Sequence, residues 1–133
     1  MALEYLHRNK IIHRDLKPEN LVFDSNGYLR LTDLGISRMM REDNHQDTSG
    51  TPGYMAPEVM VRRSHSFAVD YFAFGVIAYE MMLGRRPYVG ANRKEIKDQI
   101  LARQATVRLE QLPFKWSPTS IDFINRVNIP SFS

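Results

Sequence analysis

The sequence contains no cysteine, so it can form neither a disulfide framework nor a thiolate metal site. It also lacks any run of about 18 apolar residues and any basic-then-apolar segment after Met1. These absences argue against a membrane span and a secretory signal, so we expect an intracellular, cytoplasmic protein. The seven glycines include no G-x-G-x-x-G pattern, so these residues contain no loop of the kind that covers nucleotide phosphates.

Composition and charge are those of an ordinary globular protein. Of the 133 residues, 43% are apolar and 25% are charged, which suffices for one domain or for part of a larger one. The net charge of +3 arises from dispersed basic pairs such as Arg62-Arg63 and Arg85-Arg86. Such pairs are typical of a solvated surface, so we expect no nucleic-acid partner; a basic nucleic-acid binder would rest on the high isoelectric point alone.

The order of apolar and polar residues predicts a mainly α-helical chain with one small β-hairpin. A helix is under way at residue 1. Two short apolar runs, 21–23 and 28–31, flank Asn26-Gly27, a dipeptide typical of tight hairpin turns. The polar stretch 36–55 is predicted to be a long loop.

Three helices are predicted in the second half of the chain. The segment Val69–Leu83 is apolar around almost its whole circumference, which predicts a helix that is buried on all sides and ended by Gly84. Asn92, with Glu95 three residues later, is a capping-box pattern that opens an amphipathic helix. The pair Ser117-Pro118 similarly begins the third helix.

Two polar stretches stand at the ends of strand-like runs. The sequence HRDLKPEN, residues 13–20, follows Ile11-Ile12, and Asp33-Leu34-Gly35 follows the hairpin. Phosphoryl transfer needs a carboxylate at the acceptor hydroxyl, a cation at the transferred phosphate and oxygen ligands for Mg²⁺. The residues that meet these requirements are, in turn, Asp15, Lys17, and Asn20 with Asp33. Taken alone, the first stretch is more often a solvated turn closed by proline.

Four motifs resemble the eukaryotic protein kinase family, in its order: HRDLKPEN, DLG at 33–35, GTPGYMAPE at 50–58 and DYFAFG at 70–75. The third motif and the helices after it are most similar to the AGC group. The resemblance covers residues 1–127 and implies the C-terminal lobe of a kinase domain, mainly α with a small hairpin, without the β-rich N-terminal lobe. Residues 128–133 stop following the family and are interpreted as a divergent tail.

The resemblance implies catalytic roles for the polar loops. Asp15 would accept the proton of the substrate hydroxyl. Lys17 would contact the transferred phosphate, and its place within DLKPEN indicates the serine/threonine class. Asn20 and Asp33 would hold Mg²⁺, so the implied cofactors are ATP and Mg²⁺. Thr51 lies where the family's loop threonine contacts Asp15 and Lys17.

The resemblance also implies residues that shape the site. The family's packing spines, one of which continues beneath the adenine of ATP, would contain His13, Leu34, Val22 and Met81. We therefore expect His13 to be structural, and neither a base nor a metal ligand. Asp70 would anchor the backbone of the catalytic loop. Glu58 would pair with an arginine that the family carries further along the chain.

Arg14 places a cation beside Asp15, and this cation needs an anionic partner from the long loop. The candidates are Asp47, Thr48 and Ser49. By family spacing Asp47 occupies the usual phosphorylation site, so its carboxylate would partly substitute for a phosphate, with Thr48 as the neighbouring acceptor. The alternative is a solvated polar loop.

Two acids are implied to receive a basic residue of the substrate. Glu19 follows the catalytic loop and would also border the nucleotide, while Glu80 lies on the apolar helix. A glutamate without a role in that helix would be costly. These acids predict protein substrates with a basic residue shortly before the target serine or threonine. The alternative for Glu80 is an internal ion pair with an arginine such as Arg85.

The motifs together predict a serine/threonine protein kinase that transfers the γ-phosphate of ATP. The alternative is a non-catalytic, pseudokinase-like module that binds substrates or partners; the intact set of polar-loop residues favours catalysis. We expect that the 133 residues alone neither transfer phosphate nor fold stably. Positioning of the nucleotide supplies most of the catalysis in this reaction, and the implied spine residues would face solvent.

Overall fold

The computed structural model describes residues 1–112 and 116–128. Its helices are α1 (Ala2–Arg8), α2 (Pro57–Met60), α3 (Ala68–Leu83), α4 (Arg93–Ala102) and α5 (Pro118–Val127). Its strands are β1 (Ile11–Ile12), β2 (Leu21–Phe23), β3 (Leu29–Leu31) and β4 (Arg38–Met39). Single 3₁₀ turns lie at Pro18–Asn20, Asn44–Gln46, Pro52–Tyr54 and Leu109–Gln111. Of the divergent tail that the sequence predicts over residues 128–133, residues 129–133 lie outside the described residues.

Helix α3 supplies a large share of the hydrophobic core and packs against α5 and the 3₁₀ turn Pro52–Tyr54. Nine of its 16 residues are buried, α5 packs along it, and Val76 at its middle is fully inaccessible. Gly84 ends the helix with φ of 69°, a left-handed conformation that glycine adopts without a steric penalty. No helix in the described ranges is long and apolar enough to cross a membrane.

The predicted helix starts are confirmed by their caps. The Asn92 side chain accepts the backbone N–H of Glu95 at 3.0 Å, and α4 begins at the next residue after Asn92. The Ser117 hydroxyl accepts the backbone N–H of Ser120 at 3.1 Å at the start of α5. Each cap satisfies a donor of the first turn that has no partner within its helix.

The predicted hairpin is also confirmed. Strands β2 and β3 pair antiparallel, with Leu21 opposite Leu31. The turn closes because the Asp24 carboxylate accepts the backbone N–H groups of Asn26 and Tyr28, both at 2.9 Å. Gly27 then takes φ of 81°, which a residue with a side chain rarely adopts.

The prediction of a structureless loop over residues 36–55 is wrong in part. Strand β4 lies within it and pairs antiparallel with β1, which forms a second two-stranded sheet that is separate from the hairpin. Two 3₁₀ turns also form in this segment. The strand escaped prediction because two residues are too few for an alternating pattern, and its partner lies far away along the chain.

The prediction that α3 is buried on all sides is wrong. Tyr71, Phe74 and Met81 are 45%, 39% and 61% exposed. Residues spaced by three, four and seven positions share one face of a helix, so these side chains define a single stripe. The Phe74 ring meets Phe123 of α5 edge-on at 6.2 Å, but the described elements leave most of the stripe open.

Candidate active site

The carboxylate of Asp70, in the first turn of α3, holds the start of the loop 13–20. Asp70 is fully buried, and its two oxygens accept the backbone N–H groups of His13 and Arg14, both at 2.9 Å. The His7 ring of α1 lies 2.8 Å from the same carboxylate. One buried anion therefore joins α1, α3 and the start of the loop.

His13 is completely buried, and both of its ring nitrogens are engaged. Nδ1 accepts the backbone N–H of Asp15 at 3.3 Å, and Nε2 lies 3.1 Å from the carbonyl oxygen of Thr32. A nitrogen that accepts a hydrogen bond carries no proton, so Nε2 is the donor to the carbonyl. In this arrangement the ring braces two loops against each other.

Asp15 lies within a cluster of three side chains. The Thr51 hydroxyl donates to Asp15 Oδ1 at 2.7 Å, and Lys17 Nζ donates to the Thr51 oxygen at 3.1 Å. Lys17 Nζ is also 3.1 Å from Asp15 Oδ2. All three residues are half-buried, so a carboxylate, a hydroxyl and an ammonium group share a site that is partly shielded from water.

Asn20 joins this cluster to the second polar loop. Its amide nitrogen donates to the Asp15 carbonyl at 2.8 Å, and this hydrogen bond does not use its amide oxygen. Its backbone carbonyl accepts the N–H of Thr32 at 2.9 Å, next to Asp33. Asp33 has φ of 62° and is exposed, and its carboxylate accepts the N–H of Gly35 at 3.0 Å.

The chemistry of these two side chains fits Mg²⁺. No group of three or more histidines, cysteines or acids lies together within the described residues. A Mg²⁺ ion bound to phosphates does not need such a group, because one or two carboxylates, water and phosphate oxygens complete its coordination. The exposed Asp33 carboxylate and the amide oxygen of Asn20 are hard oxygen donors of the required kind.

The structure brings Arg14 and Asp47 into direct contact. The Arg14 side chain is 5% exposed, and its guanidinium forms an ion pair with Asp47 and donates to the carbonyl of Ile36. Burial alone would raise the Asp47 pKa, but hydrogen bonds from Arg14 and Ser49 and the Arg14 charge bring that pKa below its ordinary value. Thr48 lies beside this pair, half-buried, and its carbonyl accepts a hydrogen bond from Arg93 at 3.2 Å.

Glu80 is hydrogen-bonded to a tyrosine. Tyr54 donates its hydroxyl to Glu80 Oε2 at 2.5 Å, so the observed partner is Tyr54 and not Arg85. Burial, followed by the hydrogen bond to Glu80, raises the Tyr54 pKa well above its usual range, and the negative charge of exposed Glu19 acts on it in the same direction. Both acids predicted to receive a basic residue therefore act on one tyrosine.

The predicted spine residues and Glu58, which was predicted to pair with an arginine, differ in exposure. Val22, Leu34 and Met81 are 45%, 56% and 61% exposed, so they do not form a buried stack within the described chain. Glu58, in contrast, is 3% exposed in α2, and its negative charge acts on His65.

Sequence reasoning did not identify two residues at this site, His7 and Tyr54. Each contacts a predicted residue that lies far away in the chain, 63 positions for His7 with Asp70 and 26 for Tyr54 with Glu80. Tyr54 lies within the motif at 50–58, but neither the motif nor the sequence around His7 indicates the distant partner.

Comparison with known proteins identifies the family of this chain. Residues 1–128 match the protein kinase domain family. The chain is 38% identical over 132 residues to rhodopsin kinase GRK1 of Rattus norvegicus, which covers 95% of this chain and 22% of that protein. It is 35% identical over 127 residues to the cAMP-dependent protein kinase catalytic subunit of Schizosaccharomyces pombe, covering 96% and 24%. It is 40% identical over 120 residues to cGMP-dependent protein kinase 2 of Homo sapiens, covering 84% and 16%.

The chain thus belongs to the protein kinase family. Its relatives are serine/threonine kinases of the AGC group, so this chain is an AGC-like protein kinase sequence, and the resemblance drawn from its motifs is confirmed. The helix-rich architecture with small antiparallel sheets is that expected for part of such a domain. The chain spans about a quarter or less of the length of these relatives. The roles of individual residues stay predictions.

Proposed function

We propose that the protein containing this chain is a serine/threonine protein kinase that transfers the γ-phosphate of ATP to protein substrates. The observation that carries this proposal is the position of the Thr51 hydroxyl, 2.7 Å from the Asp15 carboxylate and 3.1 Å from the Lys17 ammonium. A substrate hydroxyl at the same place would have its proton held by a carboxylate and a cation beside its oxygen. Phosphoryl transfer requires this pair at the acceptor.

In the proposed reaction, the acceptor oxygen forms a bond to the γ-phosphorus, and the bond from that phosphorus to the bridging oxygen breaks, which releases ADP. Asp15 takes the proton of the hydroxyl, and Lys17 stabilises the negative charge of the transferred group. Mg²⁺, when bound, supplies positive charge at the phosphate oxygens. Asn20 and Asp33 would hold it, and Asn20 is kept in place by its hydrogen bond to Asp15.

We assign residues 1–127 to the C-terminal lobe of the kinase domain. The exposed side chains of Val22, Leu34 and Met81 support this, since they form apolar surface where the family's nucleotide-binding lobe would lie. The sequence also lacks a glycine-rich loop for the phosphates. The 133 residues alone are therefore expected to transfer no phosphate, because the nucleotide would not be positioned against Asp15.

A second element of the proposal is regulation through the Arg14–Asp47 ion pair. Arg14 directly precedes Asp15, and its guanidinium is buried against Asp47, so a negative charge from the long loop reaches the catalytic loop. Asp47 would supply without modification part of what a phosphate on Thr48 or a neighbour would add. The test compares Asp47→Ala and Thr48→Ala: if both leave activity of the full-length protein unchanged, the segment is only a solvated loop.

The kinase proposal is tested by phosphate transfer to serine and threonine peptides by the full-length protein. Activity is expected with ATP and Mg²⁺, and Asp15→Asn is expected to lower kcat by about 10²–10⁴-fold while leaving the melting temperature unchanged. Turnover of Asp15→Asn within about tenfold of the wild type would reject Asp15 as the base. A folded protein that binds peptides but transfers no phosphate would instead be the non-catalytic module.

A further inference from the structure

The side chain of Asn44 attaches the turn Asn44–Gln46 to the loop that leads into α3. Its amide pairs with the backbone of His65 as the backbone of a neighbouring β-strand would. The amide oxygen of Asn44 accepts the backbone N–H of His65 at 2.9 Å, and its amide nitrogen donates to the His65 carbonyl at 2.5 Å. One side chain thus satisfies both backbone groups of a residue that is only 6% exposed. Beside it, the Ser64 hydroxyl donates to the carbonyl of Glu42 at 2.9 Å.

A series of direct contacts connects this attachment to Asp15. The backbone carbonyl of Asn44 accepts the N–H of Asp47 at 3.0 Å, so the turn fixes the residue that carries the anion. The Asp47 carboxylate forms the ion pair with Arg14, which directly precedes Asp15 in the chain. The Arg14 backbone N–H is bound in turn by Asp70, near the start of the same α3 that the His65 loop enters.

We propose that Asn44 is a positioning residue that fixes the Asp47–Arg14 ion pair, and through it the catalytic loop, by its paired hydrogen bonds to the backbone of His65. The arrangement gives Arg14 two supports, one from the first turn of α3 and one from the loop that precedes it. Asp70 holds its backbone, and His65 holds its ionic partner through Asn44. The catalytic consequence rests on the proposed kinase function, whereas the positioning of the turn does not.

The test uses the full-length protein and the variants Asn44→Ala, Asp47→Ala and the double variant. Gln46→Ala is the matched control, because this exposed amide of the same turn has no hydrogen bond in the part of the chain that the structure describes. The first measurement is amide hydrogen exchange. Asn44→Ala is expected to speed exchange of residues 44–49 about tenfold while leaving the hairpin 21–31 unchanged, and Gln46→Ala to change neither.

The second measurement is kcat for peptide phosphorylation. Asn44→Ala is expected to lower kcat about tenfold with little change in the KM for ATP, and the double variant to match Asp47→Ala within about twofold, because both changes remove the same support. Additive losses, exchange equal to that of Gln46→Ala, or a loss of protection that extends to the hairpin would each overturn the positioning role. A wild-type protein without phosphate transfer would overturn the proposed function, and the exchange data would still decide the role of Asn44.

Discussion

Asp15 and Asp33 are two carboxylates at the ends of short strands, and their surroundings differ sharply. Asp15 is half-buried and contacts a hydroxyl, an ammonium group and an amide. Asp33 is exposed, its backbone takes the strained φ of 62°, and its carboxylate binds only the nearby N–H of Gly35 among the described residues. Asp15 is fixed by two residues of its own loop and by Thr51, 36 positions away, whereas Asp33 is held by its own turn.

The difference indicates that the groups proposed to act on the acceptor hydroxyl are more preorganised than the carboxylate proposed to act at the phosphates. Groups that would act on the acceptor hydroxyl already lie within hydrogen-bond distance of one another, so they need little reorganisation. The carboxylate that would act at the phosphates points from a strained turn toward solvent. Strained backbone of this kind persists where the surrounding structure enforces it, often at functional sites.

The largest expected effect separates these two acids by their response to Mg²⁺. In the full-length protein, Asp15→Asn is expected to show the same large loss of kcat at every Mg²⁺ concentration, because a base cannot be replaced by more metal. Asp33→Asn is expected to need about tenfold or more Mg²⁺ for half-maximal activity, because a metal ligand is lost. The measurement is kcat as a function of Mg²⁺ at saturating ATP. Equal recovery of both variants would show that the two acids do not have separate roles.

The next effect concerns the support beneath Asp15. Asp70→Asn replaces a buried anion that accepts two backbone N–H groups with a side chain that must turn an NH₂ group toward one of its partners. We expect the free energy of unfolding to fall by about 3–5 kcal/mol, as for other broken buried ionic contacts. Urea titration of the full-length protein measures it. The matched control is Asp98→Asn on the exposed face of α4, which is expected to change stability by less than about 0.5 kcal/mol.

A smaller effect tests the acidic site around Tyr54. Glu80→Gln is expected to lower kcat/KM about tenfold for a peptide with arginine before its target serine, because a charged partner for the guanidinium is lost. The same peptide with glutamine at that position is expected to lose little. Glu110→Gln, which changes an exposed acid elsewhere, serves as the control. If Glu80→Gln lowers activity toward both peptides equally, Glu80 supports Tyr54 and does not select substrates.

The sequence predicted the parts of this fold that are set by neighbouring residues. The hairpin follows from the conformational freedom of Gly27 and from the local hydrogen bonds of Asp24, and the starts of α4 and α5 follow from caps three residues long. Such features carry their cause within a few positions of the chain. The grouping of Asp15, Lys17 and Asn20 was predictable for the same reason, because one short loop contains them.

The contacts that were not predicted join distant residues. The Asn44 amide meets a backbone 21 positions away, and strand β4 is defined by its pairing with β1. A side chain that binds backbone groups leaves no signature in the identity of its partner, since every residue has a carbonyl and nearly every residue has an N–H. The exposed stripe on α3 was mispredicted for a related reason: apolar composition shows what a helix can bury and does not show what covers it.

The smallest expected effect is the pH dependence of the Asp47–Arg14 pair. The Asp47 pKa lies below its ordinary value of 3.8, because hydrogen bonds from Arg14 and Ser49 and the Arg14 charge together outweigh the opposing effect of burial. A lowered pKa in the folded state means that the stabilisation is fully present above pH 3.8 and is lost as the pH falls through the folded-state pKa. Asp47→Asn is therefore expected to be less stable than the wild type by about 1 kcal/mol at pH 7, with the difference closing below pH 3.8. Urea titrations of both proteins between neutral and acidic pH measure this.

Asp24→Asn is the control, because the Asp24 pKa is also lowered, by the Tyr28 N–H and by Arg30, on an open hairpin where salt screens the charge. A stability difference for Asp47→Asn that does not change with pH would mean that the Asp47 charge contributes nothing to holding Arg14.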